Sequence, residues 1–349
     1  DKDTEPADTE RDGVRSGLGI GRYSKSNDSD SGASVPDKPF PAAEQPLWVL
    51  PGSLAIGSVS LAVAKAAMPS QIHVPVSLVT LMSCGRTSPG KLNLLEEIIL
   101  VPKAGQRVRQ VMKFQLGLDL ENGQTVSISD RGAPMFGYDR AEQPLDLINE
   151  ACSNLGLQLG SEIHLVLNCA APELMDYSKG KYEVATRVFL SPDELVDMYH
   201  TLISKYPAVV ALIDPLRRED AEQWEKLNHL IGRSCALLSD VTYKPQGPPP
   251  PGVKGHILKH MNEVSVSDLI DITSQKPVLD VQYGCPLSVQ AVGLGLDYIK
   301  LGGLSGSERM SQYNRLMTIE EELDQLGTLG TSVRPFTGLG TLSLTLFTG

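Results

Sequence analysis

The sequence predicts an α/β barrel of eight strands, and three observations carry that expectation. Eight short apolar runs recur along the chain, with helical patterns between most of them. Several of the runs are continuous rather than alternating, as expected of strands covered on both faces. The best-formed unit, 298–323 (YIKLGGLSGSERMSQYNRLMTIEEEL), reads as a short strand, a glycine turn and a long helix. Its Lys300 lies near the strand's C-terminal end, where barrels of this class carry their sites. An open doubly wound sheet would need fewer strands and a glycine fingerprint after the first, which is missing.

The elements follow in order. Residues 1–45 are rich in Asp, Ser, Gly and Pro and are read as a disordered lead. Its GLGIG at 17–21 follows no strand, so a dinucleotide site is not indicated. The small-residue stretch 52–68 reads as helical. The predicted strands are 76–82, 97–101, 163–168, 209–213, 236–240, 256–259, 278–282 and 298–301. Helical patterns cover 106–118, 145–155, 192–205, 220–231, 266–273 and 287–296 before the final helix. Two helices lie between the second and third strands, with irregular 125–139 between them. The segment between Asp240 and His256 contains four consecutive prolines and must be a polyproline-like loop rather than a helix. In the closing unit, Gly302, Gly303 and Gly306 allow a tight turn, and Ser305 or Ser307 is expected to cap the helix. Met310, Tyr313, Leu316, Ile319 and Leu323 form its apolar face, while Glu320, Glu321 and Glu322 crowd the end the dipole disfavours. The stretch 327–349, which carries little charge and no helical period, is read as a poorly structured or partner-dependent tail.

Composition narrows the function. A 349-residue chain with 41% hydrophobic content can bury a substantial core. Its net charge of −11 and lack of a long basic run argue against nucleic acid and anionic membranes as partners. Cys84, Cys152, Cys169, Cys235 and Cys285 show no CxxC spacing and read as buried reduced thiols. Neither a signal peptide nor an apolar run of membrane-spanning length is found, so a soluble cytoplasmic protein is expected.

Several motifs, in order, resemble the enolase family. They are GSLAIGSVSLAVAKA at 52–66, KLNLLEEIILVP at 91–102, KGKYEV at 179–184 and ISKYPAVVALIDP at 203–215. The closing IKLGG at 299–303 and SERMSQYNRLMTIEEEL at 307–323 are the most specific, and the resemblance spans about 51–326. It is nearest to a divergent, sperm-associated vertebrate branch. The resemblance implies a β2α2(βα)6 TIM-like barrel at 76–326, with 46–75 a remnant of the end of the family's small N-terminal domain and the rest of that domain largely absent.

The resemblance also implies chemistry: a lyase of glycolysis, phosphopyruvate hydratase, that dehydrates 2-phosphoglycerate to phosphoenolpyruvate. A lysine removes a proton beside a carboxylate, and Mg²⁺ stabilises the resulting enediolate. By position, Lys259 matches the base, Lys300 a substrate-contacting lysine and Glu97 an acidic substrate-side residue. The partner glutamate is matched by Arg131. An early-loop histidine is replaced by Thr87, and the phosphate-gripping stretch becomes Gln282, Tyr283 and Gly284. The three metal-ligand positions are Asn168, Ile213 and Ser239, none a carboxylate. Asp214 and Asp240 each follow a ligand position by one, and adjacent strand residues point to opposite faces.

The expectation is an impaired enolase-family protein without bound metal, with a structural or scaffolding role in sperm flagellum and motility. Pairing with itself or with other enolases, and with cytoskeletal or flagellar scaffold proteins, is implied. Two alternatives stand beside it: an active Mg²⁺-dependent hydratase, and a metal-free sensor of phosphorylated anions using Lys259, Lys300 and Arg131. Plainer readings also exist. Lysines at strand ends serve as structural ion-pair partners, and Glu97 beside Glu96 reads by itself as a solvated surface charge. His164, His256 and His260 alternate with apolar residues as structural histidines do, and no GxSxG nucleophile motif occurs.

Overall fold

The computed structural model describes residues 72–103, 105–112, 127–240, 249–259, 278–281, 291–293, 295–330 and 344–347. All belong to the unit Leu47–Gly349. The expected lead at 1–45, the helical patterns at 52–68 and 266–273, Gln282 to Gly284 and Cys285 lie outside the described residues.

In chain order the elements open with β1 (Val76–Ser83), β2 (Glu97–Pro102), α1 (Glu142–Asn154) and β3 (Ile163–Asn168). A small meander follows, β4 (Met175–Asp176), β5 (Lys181–Ala185) and β6 (Val188–Leu190). Then come α2 (Pro192–Lys205), β7 (Val209–Ile213), α3 (Ala221–Ile231), β8 (Ala236–Asp240), β9 (Val253–Lys259) and β10 (Val278–Val281). The last are β11 (Tyr298–Gly302), α4 (Ser307–Gln325) and β12 (Leu344–Phe347).

The main sheet is ordered β10-β9-β8-β7-β3-β2-β1-β11. Strand β2 runs antiparallel to both β1 and β3, while β3-β7-β8-β9-β10 and β1-β11 pair in parallel. This is an α/β half-barrel whose strands, β2 apart, all point the same way. Their burial explains why the strands read as continuous apolar runs. Val76, Leu78, Ile99, Val101, Val166, Ala211, Ile213, Leu238, Ile257 and Tyr298 form one cluster inside the curved sheet. Val79, Leu100, Leu165, Leu167, Leu212, Leu237, Ile299 and Leu301 join the second cluster, with the helices. Period-two alternation therefore feeds two cores, and even polar residues of these strands such as Ser77 and Thr80 are buried.

Each described helix buries one stripe. Ser191 and Glu194 close a capping box on α2, whose Leu195, Val196, Tyr199, Leu202 and Ile203 are buried. On α4, Tyr313, Leu316, Ile319 and Leu323 are buried, and the Tyr313 hydroxyl donates to the Gly302 carbonyl at 2.9 Å, fixing the helix to β11. The expected serine cap is absent. Gly306 is the N-cap, at φ 105°, and no side chain caps the helix.

The meander β4–β6 is unforeseen by the sequence reading. It is pinned by buried Tyr182, whose hydroxyl donates to the Asp220 carboxylate. Asp220 also accepts from Arg217 Nε at 3.0 Å and Nη2 at 2.9 Å, and Trp224 Nε1 donates to the Arg217 carbonyl at 3.0 Å. Two further differences concern loops. Strand β9 starts at Val253, three residues before its expected start, and β12 pairs with β9 inside the stretch read as a poorly structured or partner-dependent tail. Its LTLF sequence supplies the β-branched and aromatic residues a strand favours.

Candidate functional site

The site begins with a charge in an unlikely place. Glu97 opens β2, and because β2 runs backwards its first residue lies at the C-terminal mouth of β1 and β3. There it is in register with Ser83 on one side and Asn168 on the other. Glu97 is 0% exposed, which overturns its reading as a solvated surface charge. A buried carboxylate needs partners, and Glu97 has four. Lys300 Nζ reaches both its oxygens, at 2.8 and 2.6 Å. The Asn168 amide donates to Oε2 at 2.9 Å, the Thr80 hydroxyl donates to Oε1 at 3.2 Å, and Arg131 Nη1 stands 3.7 Å from Oε2.

Glu96, which the sequence reading did not assign, completes the cluster. Its carboxylate lies 2.5 Å from Arg131 Nη1 and accepts weakly from the Asn168 amide at 3.4 Å. Two carboxylates and two cations thus meet in one place with no formal net charge. Burial alone would raise the Glu97 carboxyl, but Lys300 and Arg131 together hold it down at about 2. Burial also pushes Glu96 up, with Arg131 opposing. It pulls Lys300 down against the attraction of Glu97, whereas Arg131, flanked by Glu97 and Glu96, is pushed up on balance.

The backbone shows why Arg131 can be there. Its carbonyl accepts from Gly303 N at 2.8 Å, and the Gly132 carbonyl accepts from Ser305 N at 3.1 Å, so the 127–135 loop is laced to the β11–α4 turn. A Cβ on Gly303 would fall 2.2 Å from the Gly132 oxygen, and one on Gly302 would fall 2.6 Å from the Arg131 oxygen. The glycines of that turn are needed for this close approach as much as for the turn itself. Arg309 closes the other side, donating to the Asp130 carbonyl.

The remaining sequence-assigned residues are placed less centrally. Ile213 ends β7 inside the apolar barrel core, 3% exposed. Ser239 is half-buried on β8, in register with His256 and sharing the strand parity of Leu237, which faces the helices. Lys259 is the last residue of β9, in register with Val281. Asp214 follows β7 at φ 45°, its N–H donating to the Leu238 carbonyl at 3.0 Å. The Glu97, Lys300, Arg131 and Asn168 set converges.

A magnesium ion requires several hard anionic oxygens. Here the Asn168 amide presents a donor toward Glu97 and Glu96, Ile213 has no side-chain oxygen, Ser239 offers a single hydroxyl, and both Glu97 oxygens already accept from Lys300. Among the described residues no group of three or more His, Cys, Asp and Glu could hold a metal ion. These residues do not fit Mg²⁺.

A barrel whose second strand opposes the rest, with its charged groups gathered at the carboxyl mouth, is of the enolase type. Residues 71–243 match the family described as enolase, C-terminal TIM barrel domain. The chain is similar to Enolase 4 of Danio rerio, 45% identical over 349 aligned positions that cover 89% of this chain and 61% of that protein. It is similar also to Enolase 4 of Xenopus tropicalis, at 41% identity over 85% of the chain and 60% of that protein, and of Homo sapiens, at 40% over 85% and 58%. The chain belongs to the enolase family. It spans about three fifths of the length of the curated relatives it matches. No helix among the described residues is long and apolar enough to cross a membrane.

Proposed function

We propose that this chain is an enolase-family barrel with impaired metal-dependent catalysis and a structural or scaffolding role. The observation that carries the reading is the Asn168 amide, which donates hydrogen bonds at 2.9 and 3.4 Å where the family resemblance calls for a metal-binding carboxylate. An amide hydrogen aimed at Glu97 cannot ligate a cation. The enolase reaction leaves a doubly charged enediolate, and losing its electrostatic stabilisation costs many orders of magnitude in rate. Lys259 in this reading retains the place of the base and Arg131 that of the acid–base partner, without the cation that makes either useful.

With this reading go a cytoplasmic and flagellar setting and pairing to itself, to other enolases or to scaffold proteins of the sperm tail, as the sequence resemblance implies. The assay is direct. Purified chain, and the full-length protein, given 2-phosphoglycerate and Mg²⁺ should form no phosphoenolpyruvate. Sustained turnover that Lys259→Ala abolishes would overturn the reading and establish a working hydratase, which the intact Glu97–Lys300 pair favours as the second reading. The metal-free anion sensor is disfavoured, because Lys300 and Arg131 already hold carboxylates. Saturable 2-phosphoglycerate binding without Mg²⁺, lost in Lys300→Ala, would reinstate it.

A further inference from the structure

The metal misfit raises a question of charge. Glu96 and Glu97 are adjacent carboxylates at one mouth, one fully buried and the other 27% exposed at its side chain. Left alone, such a pair repels itself and is penalised by burial. Lys300 answers Glu97 from inside the barrel, but it makes no hydrogen bond with Glu96. The cation that pairs with both is Arg131, with Nη1 at 2.5 Å from Glu96 Oε1 and 3.7 Å from Glu97 Oε2. It comes from the 127–135 loop, held by the Gly303 and Ser305 amides, so its backbone is fixed before its side chain is considered. The Asn168 amide sits between the same two carboxylates, on Oε2 of each.

We infer that Arg131 is the resident counter-ion of this mouth: a fixed guanidinium that supplies to Glu96 and Glu97 the positive charge a divalent cation would otherwise bring. The mouth is therefore an internally neutralised lock, indifferent to divalent ions, and it conceals a latent cation site. With Arg131 truncated, the cluster would carry a net negative charge. Glu96, Glu97 and the Asn168 carbonyl, once the amide turns, could then share one hard cation. This inference rests on the reading of an impaired metal site.

The test uses Mn²⁺ alone as probe, read by the electron paramagnetic resonance signal of the free ion and by the shift in Tm. The unsubstituted chain and Arg131→Lys, which keeps the charge, should leave both unchanged. Arg131→Ala should take up Mn²⁺ at least about tenfold more tightly than the unsubstituted chain and gain Tm with it, as expected when one opposing charge is removed at short range. Adding Glu96→Gln to Arg131→Ala should abolish that gain. Should Arg131→Ala fail to fold, Arg131→Met, which keeps the length of the side chain, is read the same way. Indifference to Mn²⁺ in both folded truncations would overturn the inference, as would Mn²⁺ uptake by the unsubstituted chain that Glu96→Gln removes. The two readings fail separately: absent 2-phosphoglycerate turnover with Mn²⁺-indifferent truncations overturns only the lock, whereas turnover by the unsubstituted chain overturns the impaired site.

Discussion

Lys300 and Glu97, 203 positions apart in sequence, form a buried ion pair in which one ammonium reaches both carboxylate oxygens at 2.8 and 2.6 Å. The lysine side chain is 5% exposed and the glutamate 0%. Neither charge is tolerable there without the other, and the fold is arranged to deliver both.

Breaking one side of that pair should therefore be far worse than removing it. Lys300→Met leaves Glu97 with Arg131, Asn168 and Thr80 only, and should cost about 3–5 kcal/mol in urea unfolding. The double substitution Lys300→Met with Glu97→Gln should recover much of that. A single substitution costing under about 1 kcal/mol would show that the pair is not buried as described.

The same pair sets an acid dependence. Glu97 ionises at about 2 in the folded chain against an ordinary 4.5, a depressed folded value. Its contribution to stability is fully present above about pH 4.5 and is lost as pH falls toward 2. The amount at stake is about 3 kcal/mol. Comparing urea midpoints of the native chain and Glu97→Gln between pH 7 and pH 3 checks this, with the gap between them narrowing only below pH 4.5.

Gly303→Ala tests the laced loop. Its new Cβ would meet the Gly132 carbonyl at 2.2 Å, so the 127–135 loop must lift. A loss of about 3 kcal/mol is expected, with faster hydrogen exchange at the Ser305 amide. Gly180→Ala, at φ 63° but with nothing within 4 Å, should cost only about 1–2 kcal/mol and leave that amide protected.

Tyr182→Phe removes the hydroxyl that joins the β4–β6 meander to Asp220 and also accepts from Arg217 N at 3.0 Å. A cost of about 1–3 kcal/mol is expected by thermal unfolding. Asp220→Ala, which also strips Arg217 of its carboxylate, should cost more. Equal stability of Tyr182→Phe and the native chain would contradict the meander's attachment.

The strands were legible because their apolar runs face two cores, a signal written into consecutive residues. Val209–Ile213, for instance, is buried at every position. The meander was not, since β5 alternates half-buried and buried residues over only five positions and β4 has two. Turn geometry was hidden as well: Ala170, Arg187 and Asp214 take positive φ without being glycine, held there by surroundings that no local pattern records. At the site, Lys300 and Glu97 could be picked out by family resemblance, but not their contact. Glu96 escaped notice because a second glutamate beside a first reads as solvent-facing until the Arg131 loop is folded over it.

Strand order has a consequence for synthesis. β1 precedes every other described strand, yet its second neighbour is β11, which leaves the ribosome only after the meander, α2, α3 and β7 to β10. Until then β1 presents a bare row of amides and carbonyls, ready to pair with any other extended chain. Over the same interval Glu97 lacks the ammonium that will compensate it. The nascent protein must therefore carry a sticky edge and an under-compensated charge from the synthesis of β2 until that of β11, and the Lys300 strand removes both in a single docking step.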